Sequence, residues 1–503
     1  MYDRKHSPYR PVRGRRHAGS GFPLRGRRMT APRGLTALPL IVLTAACASA
    51  PPVGHPEIGV AVPAAWTAKT EAAPVQPVWW RQFGDPTLEK VVAEALEGNR
   101  DLRAAATRVE AAAALARITG ADQFPVVNVS LDASRRKQNF IGLPIPGAEG
   151  EVLSTRATTY GVSLDTTWEA DVWGRIRSGV SASLADAEAT LFETGGARLS
   201  LAAQTAKAWF ALIEARQQRR LAEDTVSSYR TTSEQVRDRY RRGLVPPVDL
   251  RLALSNLHAA QALLAERNEQ YGRVLRQLEL LLGRYPAGAL QPPDVLPALP
   301  SEIPAGLPAG LLAQRPDLQA AERRLAAADA RLVADRRALY PSFSLTGSGG
   351  TSTNALRNLL DGDFSVWSVV GSVAQPIFQG GRLRAQVEVA DAQVREALEL
   401  YAGQVLTAFS EVEIALDAQA HLRERAARLT DASEQAAAAR TLAERRYGTG
   451  LDTILALLEA QRRQLDADSQ LLTARRLQLD ARVDLHLAVG GDFDAASLVS
   501  GGS

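Results

Sequence analysis

Two stretches of the chain alternate between apolar and polar side chains. From Val127 to Ala133, and again from Tyr160 to Trp168, every second side chain is less polar than the ones between them. A period of two predicts β-strands with one apolar and one polar face. Two segments of similar composition follow in the second half of the chain, although the last of them alternates poorly. The sequence therefore predicts four strands, at about residues 126–136, 157–169, 342–351 and 364–376.

The strand lengths, about ten residues, suit a tilted strand that crosses a membrane. A hairpin outside the membrane, packed on its own helices, is the alternative at this point. The membrane interpretation carries a condition, because a four-stranded sheet has two edges whose unpaired N–H and C=O groups cannot face lipid. Four strands are also too few to close a barrel. Closure therefore requires several copies of the chain, and three copies would supply twelve strands.

Most of the remaining chain has helical spacing. Apolar residues three and four apart occur without an interrupting proline in residues 177–242 and 383–447, which gives each helix a length of roughly 100 Å. Charged residues are frequent in both, so we expect them in water, with apolar seams packed as in a coiled coil. The sequence predicts helices at about residues 100–122, 177–242, 247–283, 316–338, 383–447 and 452–489.

The chain also contains an internal duplication. The segment that starts at Asn99 aligns with the one that starts at Arg315, and Arg239-Tyr240-x-x-Gly243 aligns with Arg446-Tyr447-x-x-Gly450. Repeats of this length indicate one structural unit present twice. We predict an N-terminal anchor and equatorial segment at 47–98, a first repeat at 99–290, a linker at 291–314, a second repeat at 315–490 and a tail at 491–503.

Composition removes several classes of function. One Cys and six His among 503 residues exclude a disulfide framework and a zinc or iron cluster held by several cysteines. A cell-envelope hydrolase is disfavoured because the sequence lacks His-Glu-x-x-His, Gly-x-Ser-x-Gly and a Gly-Lys-Ser/Thr phosphate loop. We therefore predict neither an enzyme nor a metal site. Nucleic acid is not an expected partner, because residues 1–46 hold ten basic residues and the rest of the chain has 49 basic and 54 acidic ones.

The basic leader ends in a cysteine. Arg33 precedes the apolar run Leu35–Ala46, and Cys47 follows it. Twelve residues are too few for a transmembrane helix, and a basic segment before a short apolar run is typical of a secretory signal. We predict a lipoprotein signal peptide at 1–46, with translation starting at Met29, and an N-acyl diacylglycerol group on Cys47 as the only attached cofactor. A small buried cysteine is the alternative.

Several motifs in order carry a resemblance to a known family. They are Trp79-Trp80-Arg81-Gln82-Phe83-Gly84-Asp85, Trp168-Glu169-Ala170-Asp171-Val172-Trp173-Gly174-Arg175, Gln375-Pro376-Ile377-Phe378-Gln379-Gly380-Gly381-Arg382 and the two Arg-Tyr-x-x-Gly turns. With Cys47, they resemble the TolC or outer-membrane factor family in its NodT-type lipoprotein branch. The resemblance covers nearly all of the predicted mature chain.

The resemblance implies a mainly α fold with membrane β-structure. Three copies would form a twelve-stranded outer-membrane β-barrel that a long periplasmic α-helical barrel continues. The family's role would be a passive exit duct, joined through a periplasmic adaptor protein to an inner-membrane pump of the RND type. No residue would be catalytic. Localisation would be the cell outer membrane, with a lipid anchor and a periplasmic extension.

The resemblance also implies roles for the tips of the helical hairpins. Arg242, Gly243 and Leu244 in the first repeat, and Gly450 and Leu451 in the second, would dock the adaptor. Asp249 and Glu459 would face the periplasmic constriction, where three copies make carboxylate rings that attract cations. Alternatively, Asp249 caps the following helix and Glu459 lies on a solvated face.

One further alternative concerns the whole chain. A lipid-anchored periplasmic coiled-coil scaffold without a pore would use the same long helices. It would gain nothing from four amphipathic strands placed symmetrically in two halves. The duct is therefore the favoured interpretation of the sequence.

Overall fold

The computed structural model describes residues 59–67, 78–140, 153–300 and 308–491. Each repeat consists of a 22-residue helix, two antiparallel strands, a 67-residue helix and a 35-residue helix. The elements in chain order are α1 (Pro86–Gly98), α2 (Arg100–Ala121), β1 (Val126–Phe140), β2 (Leu153–Ala170), α3 (Arg175–Arg241), α4 (Pro247–Leu281), α5 (Pro308–Gln314), α6 (Pro316–Arg337), β3 (Ser342–Thr353), β4 (Ser365–Ala374), α7 (Arg382–Gly448) and α8 (Ile454–Ala488).

Some predictions fall on residues that the structure does not describe. The predicted signal peptide at 1–46, its start at Met29 and the lipidation site at Cys47 lie outside the described residues. So do residues 492–503 of the predicted tail and residues 301–307 of the predicted linker.

The four strands form one antiparallel sheet in the order β1-β2-β3-β4, so β1 and β4 are its edges. The predicted end of the first strand at residue 136 and the predicted start of the second at 157 are wrong. Pairing continues through Lys137 and Arg156 as far as Phe140, because backbone hydrogen bonds do not depend on apolar alternation. β4 stops before its predicted end at 376, where Pro376 has no N–H to donate.

The six predicted helices differ from the observed ones by no more than two residues at either end. Two α-helices of the described residues were not predicted. α1 lies within the N-terminal segment, where Asp85 caps it by accepting hydrogen bonds from the N–H groups of Thr87 and Leu88. α5, of seven residues, lies within the linker. α5 is too short for apolar spacing to reveal. α1 is not, because its buried residues Leu88, Val91 and Ala95 have helical spacing, so this signal was present in the sequence and was missed. None of the helices within the described ranges is both long and apolar enough to cross a membrane.

Equivalent junctions join the start of each repeat to its end. In the first repeat, the Asn99 side chain accepts hydrogen bonds from α2 and donates one to the carbonyl of Leu281 at the end of α4, at 3.0 Å. In the second, the buried Arg315 donates to the carbonyl of Ala488 at the end of α8, at 2.9 Å. The duplicated positions therefore make the same connection with different side chains.

The main core lies along α3. Trp209, Phe210 and Ile213 are fully buried, as their helical spacing predicts. The Trp209 indole N–H donates to the carboxylate of Asp85 at 2.8 Å. Because the same carboxylate caps α1, one side chain fixes the N-terminal segment to the first repeat.

A buried histidine completes this attachment on the α8 side. His486 is fully buried, and its ring stacks on Trp79 with a centroid distance of 5.1 Å. Burial first, and then the positive charge of Arg482, lower the pKa of His486 to about 3. The ring is therefore neutral in the folded protein at all ordinary pH values.

We expect this histidine to make the protein sensitive to mild acid. Its pKa when unfolded is about 6.5, above the folded value, so unfolding takes up a proton below that pH. The contribution of His486 to stability is thus full above about pH 6.5 and falls by about 2 kcal/mol at pH 5. In His486→Phe, which keeps an aromatic ring on Trp79, urea unfolding should lose this part of its pH dependence. His421→Gln, at an exposed histidine of α7, should keep it. Equal pH dependence in both variants would contradict the assignment.

Candidate functional site

The end of α3 forms a tight turn that requires glycine. Gly243 has a φ of 70°, its N–H donates to the carbonyl of Tyr240 at 2.9 Å, and the next N–H, of Leu244, donates to the carbonyl of Arg239 at 2.9 Å. This pair of bonds defines a Schellman motif, in which a left-handed residue ends the helix. The turn leaves the Leu244 side chain 68% exposed.

The end of α7 repeats this geometry. Gly450 has a φ of 76°, and Leu451 donates to the carbonyl of Arg446 at 2.9 Å. Leu451 is also 68% exposed. The two predicted docking turns are therefore alike in backbone shape, and each presents one leucine to its surroundings. Arg242, at the first turn, is exposed as well. Their role in docking stays a prediction.

Both tips share one apolar core, and an arginine bridges them. Apolar residues of α3, α4, α7 and α8, including Val236 and Leu257, pack around the buried Tyr447. The guanidinium of Arg239 lies 4.6 Å from the centre of the Tyr447 ring. It also donates to the carbonyls of Tyr447 at 2.9 Å and Gly448 at 2.8 Å. These carbonyls belong to the last turn of α7, where a cation is favoured by the helix dipole.

The duplicated arginine does something different. Arg446 occupies the position equivalent to Arg239, but it forms an ion pair with Asp452 in its own turn, at 2.7 Å. Sequence reasoning identified both arginines as part of a repeated motif and assigned neither a role. The signal was the repeat, but a repeat cannot show which copy reaches across to the other.

We expect Arg239→Ala to loosen the end of α7. The change removes two hydrogen bonds from a charged donor and the contact with the tyrosine ring, which together should lower local stability by about 2 kcal/mol. Amide hydrogen exchange near Tyr447 and Gly448 should quicken correspondingly. Arg446→Ala is the matched control, because an exposed ion pair contributes at most about 1 kcal/mol. Equal exchange in the two variants would contradict the bridging role.

Asp249 lies in the first turn of α4 and is half-buried. The alternative that it caps this helix is wrong, because the N-cap residue is Pro246 and no side chain caps the helix. Asp249 instead lies close to Tyr447, the tyrosine that Arg239 contacts. Burial raises the pKa of Tyr447, the positive charge of Arg239 lowers it, and the negative charge of Asp249 raises it further. An acidic residue in a first turn is favourable for the helix in any case.

Glu459 lies on α8 with two arginines of the same helix. Its carboxylate accepts from Arg463 at 2.7 Å and from Arg462 at 2.8 Å, and these contacts, with Arg463 first, lower the pKa of Glu459. The charge that it could offer to a constriction is therefore largely offset within one chain. Among the described residues, no hydrogen bond or ion pair joins Asp249 to Glu459.

The sheet at the other end of the helices has two unlike faces. Val129, Leu131 and Trp367 are each more than 70% exposed on one face. On the other, the Asp165 carboxylate accepts hydrogen bonds from three serine hydroxyls, of Ser130 at 3.1 Å and of Ser163 and Ser348 at 2.7 Å. A face of exposed apolar residues this large indicates contact with lipid or another protein. In the parts of the chain that the structure covers, no group of three or more potential ligands could hold a metal ion.

Comparisons with known proteins agree with this geometry. The family model described as "Outer membrane efflux protein" matches residues 91–284 and 307–491, one segment in each repeat. The chain is 32% identical to the pyoverdine export outer membrane protein OpmQ of Pseudomonas putida over 93% of this chain and 99% of that one. It is 33% identical to the outer membrane protein OprJ of Pseudomonas aeruginosa over 92% and 96%. The solved structure of the outer-membrane channel OprN superposes with a TM-score of 0.79 at 31% identity, over 88% of this chain and 99% of that one.

Proposed function

Since the chain belongs to the outer membrane efflux protein family, we propose that three copies form the exit duct of a tripartite efflux or export system. Its localisation is the outer membrane, and its helices extend into the periplasm. The observation that carries the proposal is the sheet, which has one exposed apolar face, one polar face and two edge strands. In lipid such edges must pair, and joining β4 of one copy to β1 of the next closes a ring of twelve strands.

The polar face then lines the pore. The Asp165 carboxylate and its serine partners lie on this face, and Val129, Leu131 and Trp367, on the other face, contact lipid. A pore-free scaffold would leave this division of the sheet without a use. The duct conducts passively and no residue in it is catalytic, so the pump supplies the energy.

Purified full-length protein in detergent tests the duct. We expect a mass of three chains, and stepwise single-channel currents after reconstitution into planar bilayers. A monomer that gives no current would overturn the proposal.

The adaptor protein and the inner-membrane pump, of the RND type, are the proposed partners. The exposed Leu244 and Leu451 of the two turns are the proposed docking points. We expect the double variant Leu244→Asp, Leu451→Asp to lose cellular efflux and keep its single-channel current. Leu360→Asp, at an 85% exposed leucine beside the sheet, is the control that should keep both. Retained efflux in the double variant would contradict docking at the turns.

Asp249 and Glu459 are the proposed gate residues. Asp249 is the stronger candidate, because arginines of the same helix offset the Glu459 charge. In reconstituted channels, Asp249→Asn should reduce the preference for cations, seen as a shift of the reversal potential in a salt gradient, and Glu459→Gln should change it less. An unchanged reversal potential in Asp249→Asn would refute its role.

Cys47 is the proposed lipid attachment site. Two acyl chains with the N-terminal amide would hold each copy to the membrane more firmly than one chain could. The mass of the N-terminal peptide from membranes should show a diacylglycerol-modified cysteine. An unmodified Cys47 in the mature chain would refute this.

A further inference from the structure

The outer end of the β1–β2 hairpin carries three basic side chains on one face. Lys137 lies directly opposite Arg156, and Arg135 lies two residues before Lys137 on β1. Directly opposed residues share a face of the sheet. This is the face of Val129 and Leu131, because residues two apart on a strand point the same way. We call Arg135, Lys137 and Arg156 the basic triplet.

The triplet begins where the apolar band ends. On β2 the band runs from Trp168 to Tyr160, which spans about 20 Å of height for a strand tilted by about 40°. Tyr160 pairs with Ala133 and also with Thr353, the last residue of β3. Beyond that level the hairpin continues as two strands only. Aromatic residues at both ends of such a band are typical of membrane interfaces.

The height of the triplet matches the headgroup layer. Arg135 lies two residues beyond Ala133, and Lys137 lies four beyond it, or about 5 and 10 Å higher along a tilted strand. The polar layer extends about 5–8 Å from the hydrocarbon core. Long basic side chains can reach back toward it. The connections to the described α-helices lie at the opposite ends of the strands, so this is the leaflet that faces away from the periplasm.

The charges of the triplet have no partner within the described part of the chain. All three side chains are exposed, and no described hydrogen bond or ion pair involves them. Like charges directly opposite each other destabilise a sheet unless an anion lies between them. Residues 134–140 and 153–159 contain no Asp or Glu, whereas the connecting segment 141–152, outside the described residues, contains Glu149 and Glu151.

We propose that the basic triplet binds phosphate groups of an anionic lipid in the outer leaflet of the outer membrane. The inference rests on the proposed function, because it requires the sheet to cross that membrane. Arginine binds phosphate through paired N–H donors, and opposed Lys137 and Arg156 can contact one phosphate together. The occupant is a phosphorylated glycolipid of the lipid A type, held by its phosphate monoesters against the exposed face of the hairpin.

The test measures lipid binding to the full-length protein in neutral-detergent micelles. A fluorescent bisphosphorylated lipid A is displaced by unlabelled lipid A or by its dephosphorylated form, and anisotropy reports displacement. We expect the phosphorylated form to compete far better. Each basic residue near an anionic lipid surface changes affinity about fivefold, so the triple variant Arg135→Ser, Lys137→Ser, Arg156→Ser should bind on the order of a hundredfold more weakly.

The strand supplies a matched control. Arg136 lies between two triplet residues but on the polar face, so Arg136→Ser should change the affinity for lipid A less than about twofold. Arg156→Ser alone should reduce this affinity about fivefold, and Arg156→Lys should retain it because the positive charge remains. These single variants decide the matter if the triple variant does not fold. Equal competition by the two lipids, or an equal loss in Arg136→Ser and Arg156→Ser, would overturn the inference. A phosphate preference that appears only after Glu149→Gln and Glu151→Gln would also overturn it, since loop carboxylates would then occupy the triplet.

Single-channel recording on the same samples separates the two proposals. Wild-type protein that conducts but shows no phosphate preference refutes the triplet site alone. Wild-type protein that neither forms trimers nor conducts refutes the duct, and the lipid site with it.

Discussion

Gly350→Ala is expected to prevent the sheet from forming. A Cβ atom at Gly350 would lie 2.0 Å from the carbonyl oxygen of Val162 and 2.8 Å from the Cα of Ser163. Both are backbone atoms of β2, so no side-chain rotation can relieve the overlap, and β2 and β3 must separate. We expect a loss of at least about 3 kcal/mol, with little variant protein recovered as trimer from the outer membrane.

The neighbouring glycine provides the control for this prediction. Gly349 points to the other face, and a Cβ there would meet no atom within 4 Å. Gly349→Ala should change stability by less than about 0.5 kcal/mol. Trimer yield on native gels and the midpoint of thermal unfolding should separate the two variants. A Gly350→Ala trimer that melts with wild-type protein would show that the two strands do not approach as described.

Gly283→Ala is expected to disrupt the junction at the base of the first repeat. Gly283 ends α4 with a φ of 75°, and a Cβ there would lie 2.3 Å from the carbonyl oxygen of Gly98. The left-handed backbone alone costs a non-glycine residue about 1–2 kcal/mol, and the overlap adds about 1–3 kcal/mol. Urea unfolding followed by helical circular dichroism should show the sum of the two.

Two further variants separate these costs. Gly243 has nearly the same φ, 70°, with nothing within 4 Å of an added Cβ, so Gly243→Ala should show the backbone cost alone. Gly98 is the last residue of α1 and does not have a positive φ, and its Cβ would lie 2.3 Å from the carbonyl oxygen of Leu282. Gly98→Ala should therefore show an overlap at the same junction, less the gain of up to about 1 kcal/mol that alanine brings to a helix. If Gly283→Ala is no worse than Gly243→Ala, the junction is not closely packed.

Sequence patterns predicted the elements that are long or regular. The 67-residue helices and the first hairpin have many periods each, so their type is evident even where their ends are not. β4 was visible mainly by its place in the second repeat, because Val366, Val369 and Val370 are exposed on both of its faces. The duplication therefore contributed what local alternation could not.

The candidate site was predictable only in part. Gly243 and Gly450 follow from the need for a left-handed residue after a helix, which is a local property. The reach of Arg239 to the carbonyls of Tyr447 and Gly448 joins residues more than 200 positions apart. The pairing of Glu459 with two arginines could have been inferred from its three- and four-residue spacing to them. The stacking of His486 on Trp79 could not have been inferred from the sequence, because no spacing pattern links the two residues.

The divergence of Arg239 and Arg446 has a consequence for stoichiometry. A threefold assembly would present six turns of two kinds, alike in backbone shape and unlike in surface charge. A partner that recognises only the Gly-Leu backbone shape can occupy all six places. A partner that recognises the Arg446–Asp452 pair can occupy only three. The number of partner molecules bound per trimer therefore shows which of the two features the partner recognises.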